Sequence, residues 1–193
     1  MDSRIYDVLV IGAGQSGLAA GYYLKPSGLD VSILDGADRV GDVWRRRWDS
    51  LQLFTPARYS ALPGLKFPAA GSSYPSKDDF ADYLESYAQH FQLPVRTGIR
   101  VLSVRRADGV FELETSAGEL RARNVIATPG ANSIPRIPAA AQELDPGITQ
   151  LHTSQYRGPA GIPDGAVLVA GAGTSGVEIA LELAHNRPAG TVY

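Results

Sequence analysis

Apolar residues recur along the chain in two rhythms, and the switches between them predict the elements. Ile5-Tyr6-Asp7-Val8-Leu9-Val10-Ile11 is short, β-branched and apolar on both faces. That is the pattern of a central parallel strand buried on both faces. Leu18 to Lys25 follows as a helical stretch ended by Pro26-Ser27-Gly28, and Val31 to Leu34 gives a second strand ending at Asp35. The three make a βαβ unit of about 30 residues. Residues 36–75 have weak periodicity and predict a long, ordered excursion with one helical turn around Val43 to Trp48. Ser76 with Lys77-Asp78-Asp79 reads as an N-cap and acidic first turn. The helix it opens should run to about Phe91, with Phe80, Tyr83, Leu84 and Tyr87 on one stripe.

Short strands are expected over Arg100 to Arg105, Val110 to Thr115 and Glu119 to Arg121, separated by turns, as a β-meander. Asn124 to Thr128 is expected as another strand, back in the main sheet. A linker carrying Pro129, Pro135, Pro138 and Pro146 leads to a strand over Ala166 to Ala170. A helix over Val177 to His185 follows, with Val177, Ala180, Leu181 and Ala184 as its apolar stripe. Thr191 to Tyr193 reads as the opening of a further strand.

Gly12-Ala13-Gly14-Gln15-Ser16-Gly17 has GxGxxG spacing, and each glycine has a mechanical reason. The first makes a tight turn from strand to helix, the second lets a pyrophosphate approach the backbone, and the third lets helix and strand pack closely. The helix N-terminus then presents free N–H groups and a positive dipole end to the phosphates. Asp35 stands 18 residues after Gly17 at a strand end, where a carboxylate can accept hydrogen bonds from ribose hydroxyls. Gly171-Ala172-Gly173-Thr174-Ser175-Gly176 repeats the pattern 159 positions after the first. Two dinucleotides facing each other is the layout of enzymes that pass a hydride from a nicotinamide to a flavin. The residue that would read the second ribose, and so separate NADPH from NADH, should fall past Tyr193.

Composition removes several alternatives. Lys and Arg number 18 against 20 Asp and Glu, and this balance argues against a nucleic-acid partner. The chain has no cysteine. Disulfide staples, Cys-ligated metals and thiol nucleophiles are therefore excluded, as is the CxxC pair a flavin disulfide reductase needs. No apolar run approaches the roughly 18 residues needed to cross a bilayer. The N-terminus lacks a basic region followed by a cleavable apolar core, so a cytoplasmic protein is expected.

Longer stretches carry a family resemblance: GAGQSGLAAGYYL at 12–24, VGDVWRRRWDSLQLFTPARYSALPG at 40–64 and SYPSKDDFADYLESYAQHFQLPV at 73–95. LHTSQYR at 151–157 and AGAGTSGVEIALELA at 170–184 continue it. The sequence resembles the class B flavin-dependent monooxygenases, in the branch of plant indole-pyruvate monooxygenases and their bacterial relatives. The resemblance implies FAD at the first glycine motif, NADPH at the second, and oxygen transfer to a small-molecule substrate through a C4a-hydroperoxyflavin. It assigns Gly12, Gly14, Gln15, Ser16 and Gly17 to the FAD pyrophosphate turn, Asp35 to its ribose, Trp44 to the neighbourhood of the flavin, and Thr128 to that of the adenosine half of FAD. Gly171, Gly173, Thr174, Ser175 and Gly176 take the NADPH pyrophosphate, and His152 and Tyr156 belong to a segment linking two domains.

Three departures stand out. Asp145-Pro146-Gly147 replaces the family's Phe-led fingerprint, Gly41-Asp42 replaces Gly-Gly before Trp44, and Pro129 interrupts the Ala-Thr-Gly stretch after Thr128. Family members are also about twice this length.

The expected fold is α/β: a Rossmann-type FAD/NAD(P)-binding fold with a parallel sheet, a small β-meander and the start of a second dinucleotide-binding domain. The FAD-binding part should span 1–145, and the linker with the opening of the NAD(P)H-binding part 146–193. No side chain reads as a catalyst. Trp48 is expected in the core, Arg45, Arg46 and Arg47 on a solvated face, and Ser76 only as a helix cap. The rival reading is a truncated or degenerate protein that binds a flavin, or only packs, without turnover. In either case open sheet edges predict self-association.

Overall fold

The computed structural model describes residues 4–130, 134–188 and 190–193. Met1 to Ser3, and residues 131–133 of the Pro-rich linker, lie outside the described residues. The chain divides into two compact units, one of residues 1–46 and 51–133, the other of 47–50 and 134–193.

The first unit is built on β1 (Ile5–Ile11), α1 (Gln15–Leu24), β2 (Val31–Leu34), α2 (Asp42–Arg45), α3 (Lys77–His90), β3 (Val95–Arg96), β4 (Val101–Ala107), β5 (Val110–Thr115) and β6 (Gly118–Ala127). Its six strands lie in the order β3-β2-β1-β6-β5-β4. β1, β2, β3 and β6 run parallel, and β5 pairs antiparallel with both β4 and β6. Leu9 and Val10 are completely buried. Since successive strand residues point to opposite faces, β1 is covered on both sides, as the apolar run Val8 to Ile11 required.

Two of the expected strands are one. Glu119 to Arg121 and Asn124 to Thr128 fuse into β6, whose early residues pair with β5 while Arg121 to Ala127 pair with β1. No glycine or proline lies between Gly118 and Pro129 to break the run. The meander is therefore continuous with the parallel sheet. Asn124 donates its side-chain N–H to the Asp7 carbonyl across the strand boundary, 3.0 Å away. β3 was invisible to periodicity because it is two residues long, entering the sheet through Ile33 N–H on Pro94 O and Asp35 N–H on Arg96 O.

α3 carries the closest agreement between pattern and structure. Ser76 Oγ accepts from the Asp79 N–H while Asp79 Oδ2 accepts from the Ser76 N–H, a reciprocal capping box. Phe80, Tyr83, Leu84 and Tyr87 are all buried. The two tyrosines also organise the excursion: Tyr83 donates to Leu65 O and accepts from Leu62 N–H, and Tyr87 donates to Pro63 O, each at 2.7 Å. Burial pushes both phenols up, Tyr87 to about 12.

Arg45 corrects the expected solvated arginine face. α2 is a single turn starting at Asp42, and Arg45 at its end donates to Val40 O and pairs with Asp82 at 2.7 Å and Glu85 at 3.1 Å. It clamps α2 to α3, while Arg46 stays exposed.

In the second unit α4 (Thr174–Asn186) is the main element. The strand expected over Ala166 to Ala170 is reduced to an isolated bridge between Val167 and Val192. It finds a partner on one side only, Thr191 to Tyr193, and Leu168 is 77% exposed. The buried face of α4 is also corrected. Ile179 and Leu183 are buried, while Val177 and Leu181 face outward. Six of the eight residues from Val177 to Ala184 are apolar, so spacing alone could not choose a face. Trp48 is buried, as expected. Tyr156, 3% exposed, donates to Glu182 Oε2 at 2.7 Å and ties its segment to α4. Burial, and then the neighbouring carboxylate, push its phenol far up.

Ser76→Ala should lower the unfolding free energy by about 1 kcal/mol near pH 7. The bonds from Ser76 hold the Asp79 carboxyl below its ordinary value of 3.8. Their contribution is present above that value and is lost as pH falls through the lower folded-state value. Urea titrations from about pH 7 to about pH 3 should show the gap between wild type and variant narrowing; a constant gap would refute the assignment.

Candidate functional site

The first glycine motif forms the connection from β1 to α1. Gly12 has φ +99°, a conformation side-chain-bearing residues rarely adopt. Its N–H donates to Leu34 O on β2 at 2.7 Å. Gly17 begins the packing of α1 against the turn: a Cβ there would land on the Gly12 carbonyl and come within 2.9 Å of Thr128 Oγ1. Gly14 is different. A Cβ there would meet nothing within 4 Å, so the chain has left space beside the helix N-terminus.

Asp35, at the end of β2, is held against this turn. Its Oδ2 accepts from Ala13 N–H at 2.6 Å, and its Oδ1 from Ala37 N–H at 2.8 Å. Thr128, just past β6, closes the other side. Its N–H donates to Ile11 O at 2.8 Å, and its hydroxyl lies 2.7 Å from Ile11 O and 3.1 Å from Gly12 O. The structure thus gathers Gly12, Gly17, Asp35 and Thr128 into one hydrogen-bonded cluster, with Gln15 and Ser16 exposed on the first turn of α1. Trp44 does not join that cluster. It sits half-buried on α2 with its ring edge-on to Phe80, centroids 4.9 Å apart.

The second motif copies the backbone of the first. Gly171 has φ +118°. Gly173 at the head of α4 has φ −75° and ψ 169°, against −76° and −175° at Gly14. A Cβ on Gly173 would also meet open space, and one on Gly176 would land on the Gly171 carbonyl. Thr174 is exposed and Ser175 half-buried. Both helices begin inside their motifs, at Gln15 and Thr174, three residues earlier than hydrophobic spacing indicated. Neither has a capping side chain or an acidic residue in its first turn. α3, with its capping box and two aspartates, has satisfied its own terminus and is closed to anions. The two glycine-led helices have not, and their free N–H groups face open space.

Sequence spacing found the glycines and Asp35 but not the Ala13 N–H that orients Asp35, because a backbone donor leaves no side-chain signature. His152 turns inward on its own segment, with Nδ1 2.9 Å from Ser154 Oγ and its N–H on Gln155 Oε1. A cleft of about 880 Å³ between residues 65–75 and α3 includes none of the glycine-turn residues.

Residues 9–193 match the family model of the pyridine nucleotide-disulphide oxidoreductases. An uncharacterised CzcO-like oxidoreductase of Geobacillus kaustophilus (strain HTA426) is 46% identical over 184 residues, 95% of this chain and 53% of that protein. The indole-3-pyruvate monooxygenase YUCCA1 of Oryza sativa subsp. japonica is 35% identical, over 92% of this chain and 45% of its own length. A flavin-containing monooxygenase from Stenotrophomonas maltophilia superposes with TM-score 0.86 and 38% identity, over 93% of this chain and 55% of that one. The expected likeness to plant indole-pyruvate monooxygenases and bacterial relatives is therefore borne out, and the chain spans about half the length of the curated relatives it matches. The absence of cysteine leaves the disulphide chemistry in the family's name no residues to act through within these 193 positions. The match runs from the middle of β1 through the second glycine turn and α4: this chain belongs to the pyridine nucleotide-disulphide oxidoreductase family.

Proposed function

We propose that the chain carries the dinucleotide-binding elements of an NAD(P)H-dependent flavin monooxygenase: FAD at the first glycine turn and NADPH or NADH at the second. The observation that carries this is the repeated cradle. Two uncapped helix N-termini, free of acidic residues, each stand behind a glycine whose missing Cβ leaves open space. That geometry suits a pyrophosphate, whose charge the helix dipole and free N–H groups stabilise.

FAD, when bound, supplies hydride acceptance and oxygen activation, and the chain's own residues bind and orient it. The N–H groups around Gly14, Gln15 and Ser16 hold the pyrophosphate. Asp35, whose carboxylate is already fixed by two backbone donors, has lone pairs left for ribose hydroxyls. Trp44 borders the flavin, and Gly171, Gly173, Thr174, Ser175 and Gly176 receive the nicotinamide coenzyme. The substrate is a small molecule. The near-neutral charge and the lack, among the described residues, of any helix long and apolar enough to cross a membrane agree with that.

A second reading, flavin binding without turnover, is favoured by the isolated bridge that stands where the second site's leading strand was expected. Anaerobic addition of NADPH and then NADH to the flavin-loaded chain separates the two. Bleaching of the flavin absorbance supports the monooxygenase reading, and an oxidised spectrum with both coenzymes supports the second.

The purified chain should bind FAD, seen as a flavin absorption spectrum after loading and desalting. Gly14→Ala should keep the fold, because its Cβ enters empty space, and lose FAD affinity at least about tenfold, because that space belongs to the phosphate. Asp35→Ala should weaken FAD by about 10- to 100-fold in a fluorescence titration, the loss of a hydrogen bond to a charged group. Wild-type chain that takes up no FAD would sink this reading.

A further inference from the structure

We infer that Thr128 is a positioning residue: its hydroxyl, from the end of β6, sets the peptide planes of the first glycine turn and so aims that turn's N–H groups at an anion. The inference deepens the flavin-site reading and rests on it for the identity of the ligand.

Consider the two peptide units that carry the chain out of β1. In the first, the Gly12 N–H is bound by Leu34 O at 2.7 Å, and the Ile11 carbonyl by the Thr128 N–H at 2.8 Å and its hydroxyl at 2.7 Å. In the second, the Ala13 N–H is bound by Asp35 Oδ2 at 2.6 Å, and the Gly12 carbonyl lies 3.1 Å from Thr128 Oγ1. Each plane is gripped at its N–H from the β2 side and at its carbonyl from the β6 side. A peptide held at both ends cannot rotate, and a turn with two such planes fixes the direction of the donors that follow.

Thr128 also stands where two glycines lack side chains. A Cβ on Gly12 would strike the Thr128 carbonyl, and one on Gly17 would come within 2.9 Å of its hydroxyl. The hydroxyl hydrogen is spent on the carbonyls of the turn, so Thr128 serves the ligand through the backbone. Pro129, the departure from the family's Ala-Thr-Gly stretch, fits the same role, because a residue before proline is confined to extended conformations and holds Thr128 in line with β6. The second motif provides the contrast. A Cβ on Gly171 would meet nothing within 4 Å, so among the described residues nothing backs that turn as Thr128 backs the first.

The test uses the full chain, with Thr128→Val and Thr128→Ser. Amide hydrogen exchange on the ligand-free protein follows Ala13, and calorimetric titrations follow ADP, which has a pyrophosphate, and adenosine, which has none. Thr128→Val should speed exchange at Ala13 about tenfold or more and weaken ADP about tenfold, leaving adenosine unchanged; Thr128→Ser should restore both. Unchanged exchange at Ala13 in Thr128→Val would overturn the inference, as would equal losses for ADP and adenosine. If Thr128→Val fails to fold, Thr128→Ala replaces it, since it removes the hydroxyl without setting a methyl against the Ile11 carbonyl. If that variant also unfolds while Thr128→Ser does not, the hydroxyl is a general prop of the fold and the inference fails. Should wild-type chain bind neither ADP nor FAD, the flavin reading falls and the exchange arm alone decides the role of Thr128.

Discussion

β1 ends at Ile11 because the next peptide is claimed from both sides, its N–H by β2 and its carbonyl by the residue after β6. The rest of the first unit depends on that junction. β1 is buried on both faces, so it can leave the sheet only where its polar backbone groups have partners. The positive φ of Gly12 turns the chain, the bare Cα of Gly17 lets α1 sit down on the turn, and Asp35 holds the N–H that follows. Each depends on β1 being flanked by β2 and β6 in register to their last residues, Ile11 beside Leu34 and Ile11 beside Ala127. Elsewhere in the unit the same economy recurs. Tyrosine hydroxyls on α3 take up carbonyls of the 62–65 loop, and Arg45 takes up the carbonyl of Val40 while pairing with α3.

What could be read from the sequence follows from the range of the interaction concerned. The glycine turns, β1, β2 and α3 are encoded by residues within a few positions of one another, and spacing and capping chemistry reveal them. In sequence β6 reads as two strands because its halves serve different partners, and partner choice is not local. Ala166 to Ala170 was read as a strand from composition that suits one, but a strand also needs neighbours, and here it has a single bridge. The buried face of α4 is not legible in the spacing because apolar residues surround most of the helix. Arg45 reads as part of a solvated run because two of its three acidic partners, Asp82 and Glu85, lie 37 and 40 residues away. At the candidate site spacing points to Gly12, Gly14, Gly17 and Asp35 and the family resemblance to Thr128, while the Ala13 N–H and the grip on the Ile11 carbonyl are backbone features that no side-chain pattern reports.

The two glycine turns show how little of a turn's support lies in its motif. Their backbone angles agree within a few tens of degrees, and both present an open glycine at the head of an uncapped helix. They differ in support. The first is bonded to two neighbouring strands, while a Cβ on Gly171 would meet open space. A flexible turn gives up conformational freedom when it orders around a ligand, and a turn already held gives up less. Equal motifs can therefore differ in affinity by an amount set outside the motif.

The double duty of β6 has a consequence for how the protein is born. Gly12 and Thr128 are separated by 116 residues. Chains leave the ribosome at roughly 5–20 residues per second, so several seconds pass between the appearance of the first glycine turn and that of the residue that grips it. During that interval β1 is a strongly apolar strand without one of its two neighbours. Contacts so distant in sequence are the slow ones in folding, and assembly of the first glycine turn belongs among the late events of the protein's synthesis.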